Sequence, residues 1–142
     1  MERYISGNNG EKDKMKKDIN DSNWIRPMPN TLVSCKSKDG KENALAIGFI
    51  SNAGTDPLLI MVAVRPSRYS NKVIRETKNF VVNLPTKDYQ EEFSYLGSAS
   101  GFDEDKLENI NTEKADIVDS PILSDCPINY ECTLTDIYSP GS

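Results

Sequence analysis

Seven consecutive apolar residues, "LLIMVAV" from Leu58 to Val64, run straight into "RPSRYS", Arg65 to Ser70. The run is too short for a typical helix and carries no polar position, so it is expected to be a β-strand buried on both faces. Behind it, "SRYSNKVIRETK" fits a short helix, with Ser67 or Ser70 as its N-cap. Such a junction offers planar guanidinium donors and free helix N–H groups to an anion, with Arg65, Arg68 and Ser70 as the contact residues. Under the competing reading, one arginine pairs with a surface acid such as Asp56 or Glu76.

The flanking pattern is strand-rich. "NWIRPMPN" places Trp24, Pro27 and Pro29 in an extended lead-in. "TLVSCKS" reads as a strand over residues 31–37, Asp39-Gly40 as a hairpin turn, and "NALAIGFIS" as the return strand. In that strand Leu45, Ile47 and Phe49 alternate with Ala44, Ala46 and Gly48. One face therefore packs a core, and the other lets something approach the backbone closely. "SNAGTDP" follows as a turn cluster and "NFVVNLP" as a further strand. "KDYQEEFSYLG" is an amphipathic helix with Tyr89, Phe93 and Leu96 on one side, and "GSASGFDEDKLENI" is a Gly/Ser loop ending in a short helix. "INYECTLTDIY" is a late strand that aligns Ile128, Tyr130, Cys132 and Leu134 on one face. Helices are inserted singly, without a βαβ rhythm, which predicts a small, mostly antiparallel β-barrel with peripheral helices.

Composition then excludes several kinds of chemistry. The 142 residues contain no histidine, which rules out a Ser-His-Asp triad, a Cys-His pair and any zinc site needing imidazole. A net charge of −5 argues against a general nucleic-acid binder. No apolar run approaches the roughly 18 residues of a transmembrane helix, and the polar N-terminus lacks a signal core. The expected location is cytoplasmic, with no membrane partner. Residues 1–22 are polar and read as a disordered arm whose lysines form a solvated surface; residues 23–142 read as one domain. Cys35, Cys126 and Cys132 are expected to be reduced and structural, because the last two would lie about 20 Å apart in an extended strand. Asp103 and Asp105 read as helix-start acids, so no metal site is expected. No residue stands out as a general base, which leaves the chemistry to a bound cofactor or to carboxylates and lysines.

Taken in order, "TLVSCKSKDGKENALAIGFISNAGTDPLLIMVAVRPSRYSNKVIRETKNFVVNLP", "GSASGFDEDKL" and "SPILSDCPINYECTL" resemble the flavin reductase-like, or flavoredoxin-type, FMN-binding split β-barrel family. The likeness covers roughly residues 27–142. It implies FMN as cofactor, held at a homodimer interface. It also implies electron transfer from NAD(P)H or a redox-protein partner, through FMN, to flavin or another acceptor. In the family pattern the isoalloxazine contacts fall on "IGFISN": Ile47, Gly48, Phe49, Ile50, Ser51 and Asn52. Phosphate and ribityl contacts fall near Ser34, Cys35 and Lys36 and in "RPSRYS". Ser100, Gly101 and Lys106 correspond to a loop that closes over the flavin. Family members continue past "GS" with a further strand, so the resemblance also implies a split barrel lacking its C-terminal strand or strands here.

The residues themselves are compatible with these assignments without requiring them. Strand alternation puts Ser34 and Lys36 on one face and Cys35 on the other. "SASGFDEDK" has the composition of an anion nest and also of an ordinary loop. Two further readings accompany the oxidoreductase: a flavin-binding carrier or sensor without turnover, and a truncated, non-catalytic split barrel.

Overall fold

The computed structural model describes residues 24–140, so the arm expected at 1–22 lies outside the described residues. The chain is mainly β with two helices. In order come β1 (Thr31–Lys36), β2 (Glu42–Ile47), β3 (Ile50–Thr55), β4 (Leu58–Val62), α1 (Tyr69–Thr77), β5 (Asn79–Leu84), α2 (Gln90–Ser98), β6 (Thr112–Glu113), β7 (Ile122–Leu123) and β8 (Ile128–Thr133). Every pairing is antiparallel. The main sheet runs β2-β1-β5-β8, and β3–β4 forms a separate ribbon. The β1–β2 hairpin closes where expected: Gly40 takes φ 96°, and the Ser37 N–H and Lys41 carbonyl pair at 2.8 Å. Only glycine enters that region of backbone space cheaply, which is why the turn carries one.

Strand alternation divides the interior into two cores on opposite faces of the main sheet. Val33, Cys35, Leu45, Ile47, Phe80 and Val82 face one way and receive Val73 and Ile74 of α1. Leu32 and Ala44 face the other way and receive Tyr89, Phe93 and Leu96, the helix stripe expected from the sequence. The close neighbour of the small-residue face is α2. A Cβ on Gly97 would lie 3.1 Å from that of Ala46, so glycine and alanine together let the helix settle onto β2.

Four local expectations change. "LLIMVAV" does not run between two cores, because among the described residues β4 pairs only with β3. Ile60 and Val62 pack inward, while Leu58 and Met61 point outward, 62% and 58% exposed. "SNAGT" is strand β3 with a register shift between Asn52 and Gly54, not a turn; the turn is confined to Asp56 and Pro57. "NALAIGFIS" breaks at Gly48 and Phe49 rather than continuing as one strand. The segment after Asp105 forms turns instead of a short helix. The cysteines are all free, with Cys35 and Cys126 buried.

A buried amide ties the sheet together. Asn83, on β5, donates to Leu32 O (3.1 Å) and Ser34 Oγ (3.0 Å) of β1. Its Oδ1 accepts from the Leu123 N–H of β7 (3.1 Å) and from Asn129 Nδ2 of β8 (2.8 Å). One side chain thus satisfies polar groups from three other strands at a position fully shielded from water. Asn83→Ala would strand the Leu123 N–H and the Ser34 hydroxyl's partner site, and is expected to destabilise the fold by about 2–4 kcal/mol. A urea midpoint shift checks this; an unchanged midpoint would mean that water replaces the amide.

Candidate functional site

Edge strand β2 lies between α1 on one face and α2 on the other, and the loop after α2 wraps around that edge. This wrapping brings Lys106 beneath the start of α1. Lys106 is only 2% exposed, and its Nζ donates to the Leu96 carbonyl at 2.8 Å. Arg68 stands beside it and reaches the Gly97 carbonyl in a long 3.5 Å contact. Both cations therefore sit at the C-terminal end of α2, where unpaired carbonyls carry partial negative charge. Carbonyls compensate only part of a buried ammonium. Burial, then the neighbouring guanidinium, lowers the Lys106 pKa to about 8.

Across from them α1 begins. That helix starts at Arg68 itself, its N-cap residue, in extended conformation and without a side-chain cap, so neither Ser67 nor Ser70 caps it. The first turn holds no acidic residue. Ser70 is fully buried one residue into the helix, and its hydroxyl accepts from Asn43 Nδ2 at 2.8 Å. Burial pushes the Cys35 thiol up to about 11, against the smaller lowering effects of Ser70 and Lys106, so it stays protonated at neutral pH.

The loop seals this corner through Gly101. Lys41 Nζ donates to the Gly101 carbonyl and lies over the Tyr69 ring, 4.7 Å from its centroid. Tyr69 meets Phe102 edge-on at 5.2 Å. A Cβ on Gly101 would fall 2.6 Å from Asn43 Oδ1 and 2.9 Å from Tyr69, so only glycine allows the loop this close. Asn43 Oδ1 is itself buried without a hydrogen-bond partner among the described residues. Lys41, Asn43 and Tyr69 were not singled out in the sequence. Asn43 did carry a signal, since it sits in phase with Leu45 and Ile47 on the core-facing side of β2.

The other candidates fall into three places. Arg68, Ser70, Ser100, Gly101, Lys106 and Cys35 gather at this corner; Arg65 is exposed in the turn before it. Ser34 lies in the sheet interior, its hydroxyl donating to the Pro121 carbonyl at 2.5 Å, and Lys36 is at the far end of β1 beside Glu76 and Asp119. Ile47 to Asn52 form the bend from β2 into β3. There the Phe49 carbonyl accepts from the Ala63 N–H at 2.9 Å, and Phe49 meets Trp24 edge-on at 5.5 Å. A Cβ on Gly48 would touch only Met28, at 3.7 Å or more, which leaves the bend open on one side. Helix α2 links the two areas: Phe93 stands near Gly48, Gly97 rests on Ala46, and its last carbonyls meet the cations. Among the described residues, no cluster of His, Cys, Asp or Glu is arranged to hold a metal ion, and no helix is long and apolar enough to cross a membrane.

Comparison with known proteins gives this geometry a setting. The sequence model of the flavin reductase like domain matches residues 26–142. An uncharacterized protein of Archaeoglobus fulgidus is 30% identical over 116 residues, which cover 80% of this chain and 64% of that protein. The flavoredoxin of Desulfovibrio vulgaris superposes with a TM-score of 0.83 at 26% identity, over 88% of this chain and 69% of that one. Flavoredoxin from Methanosarcina acetivorans does so at 0.81 and 31% identity, over 88% and 67%. The fold is thus that of the flavoredoxin split barrel, and the chain spans about two-thirds of the length of these relatives.

Gly101→Ala is expected to force the loop off Asn43 and Tyr69, at about 1–3 kcal/mol of stability. Chemical denaturation checks it; full stability in the variant would show that the loop moves freely.

Proposed function

The chain belongs to the flavin reductase-like family, and from that premise we propose that it binds FMN and works as an oxidoreductase of the flavin reductase or flavoredoxin type. Electrons would come from NAD(P)H or a redox partner and leave to flavin or another acceptor. The observation that carries this reading is the pair of cations, Arg68 and Lys106, at the uncapped start of α1. A phosphate monoester carries about −1.5 to −2 charge near neutral pH and accepts from several donors at once. A buried ammonium, a guanidinium and helix N–H groups supply the charge and donors that such a group needs. The residues present therefore fit the cofactor's phosphate.

The bend over residues 47–52 suits the ring system. Gly48 leaves room for a flat group, and backbone donors and acceptors along the start of β3 orient it without a charged side chain. Bound FMN would supply the hydride and single-electron chemistry. The protein's part is to hold the phosphate, set the ring's position and keep water from one side. A second copy fits the outward face of β3–β4, where Leu58 and Met61 lie exposed. Apolar residues grouped in this way are a surface that a homodimer would cover.

Two measurements test the phosphate assignment. Arg68→Ala is expected to weaken FMN binding by about 1–3 kcal/mol in a flavin-fluorescence titration; unchanged affinity would put the phosphate elsewhere. The pH dependence has a definite sign. Lys106 is an ammonium below its pKa of about 8 and neutral above it, whereas an anion beside it favours the ammonium. FMN affinity should therefore fall between pH 7 and 9, as binding above pH 8 has to draw a proton onto Lys106. A flat profile across that range would separate Lys106 from the cofactor.

A further inference from the structure

Two buried oxygens at the start of α2 have no hydrogen-bond partner among the described residues. One is the hydroxyl of Tyr89, the residue that precedes the helix and is only 5% exposed. The other is Glu92 Oε2, in the first turn. Tyr89 packs in the second core with Cys126. Burial, then Cys126, Glu92 and Asp125, raises the phenol's pKa, so its hydroxyl end faces a thiol and two carboxylates. Asp125 lies in the turn after β7 and accepts from Asn111 Nδ2 at 3.3 Å. An ionised carboxylate can only accept, and a buried oxygen left without a donor costs about 1–3 kcal/mol.

We propose that this notch takes a primary ammonium, and that its occupant is a lysine of the chain's own N-terminal segment: Lys12, Lys14, Lys16 or Lys17. Three observations choose that occupant. An ammonium has three N–H donors and serves Glu92 Oε2 and the Tyr89 oxygen together. Charge agrees, since Asp88, Glu91, Glu92 and Asp125 make the start of α2 acidic, while residues 12–17 hold four lysines and one aspartate. The described chain also begins at the right place. Residues 26–30 line a groove with Phe93, which follows Glu92, and an extended segment from Trp24 back to Lys17 reaches about 20 Å. One lysine would thereby leave the solvated surface expected from composition. The contact stands on the side chains around Tyr89 and does not depend on the FMN reading.

Lysine footprinting of the full chain tests this. The folded protein is pulse-labelled with an acetylating ester, and each lysine's rate is read by mass spectrometry. One lysine among residues 12–17 is expected to label about tenfold more slowly than the other three. Glu92→Gln keeps the shape and removes the charge, so it should bring that lysine to their rate; Tyr89→Phe should do so in part. Replacing the slow lysine by Gln should lower the thermal midpoint of the wild type and leave that of Glu92→Gln unchanged, a readout that needs no labelling. The inference is overturned by equal labelling of the four lysines, which would leave Glu92 Oε2 to the Tyr89 hydroxyl after a side-chain rotation. Protection of Lys87, on the same turn as Tyr89, in place of an N-terminal lysine overturns it too, as does protection that survives Glu92→Gln. Protection lost on dilution would give the notch to a second copy's N-terminal segment and contradict a contact within one chain. Stabilisation by putrescine of the wild type but not of Glu92→Gln, with no N-terminal lysine protected, would assign the notch to a free diamine and contradict it equally.

Discussion

A lysine ammonium shut away from water beside an arginine is a costly arrangement, and the rest of the structure is shaped around it. Lys106 reaches its place because Gly101 lets the loop press against Asn43 and Tyr69, and because α2 ends with its carbonyls turned toward the same corner. Those carbonyls give partial relief. They do not neutralise two positive charges, and burial, then the Arg68 guanidinium, lowers the Lys106 pKa to about 8. An anion is the natural complement, and the uncapped start of α1 adds donors aimed at the same space. Structural capping of α2 and the proposed binding of a phosphate would thus be successive uses of one cluster.

The sheet makes that corner possible by holding two helices on opposite faces of one edge strand. Asn83 locks β1, β5, β7 and β8 into a rigid unit behind it. Glu131 on β8 steadies the loop between β6 and β7 in a similar way, its carboxylate accepting from the backbone N–H groups of Asp116, Ile117 and Val118. Those bonds, Ile117's foremost, hold the carboxyl below its usual pKa. On the near side, Gly97 on Ala46 fixes the distance from α2 to β2, and with it the spacing between the cations and the open bend at Gly48. Rigid backbone thus sets where a ligand's charged end and flat end could each lie.

Much of this was legible in the sequence, because alternation and turn chemistry are local signals. The Asp39-Gly40 hairpin, the α1 helix and the stripe of Tyr89, Phe93 and Leu96 follow from short-range pattern, while the family came from the resemblance of ordered motifs from residue 27 onward. What misled was burial. Seven apolar residues imply a strand inside two layers only when both faces find partners within one chain; Leu58 and Met61 find none among the described residues. The small-residue face of β2 likewise admitted a neighbour, but at Ala46 that neighbour is α2, and only Gly48 remains open. Ser34 and Ser70 are expected near the phosphate from the resemblance, and the structure also gives both hydroxyls internal hydrogen bonds. Their use as internal acceptors and donors depends on Asn83, Pro121 and Asn43, which lie far along the chain. The pairing of Arg68 with Lys106 is long-range for the same reason.

Comparing FMN with riboflavin tests the central claim most directly, since the two share a ring system and differ in the phosphate alone. If the Arg68–Lys106 corner holds that phosphate, FMN will bind at least about tenfold tighter than riboflavin at pH 7 and low salt. Equal affinities for the two flavins would contradict the account, because the buried cations would then contribute nothing to binding.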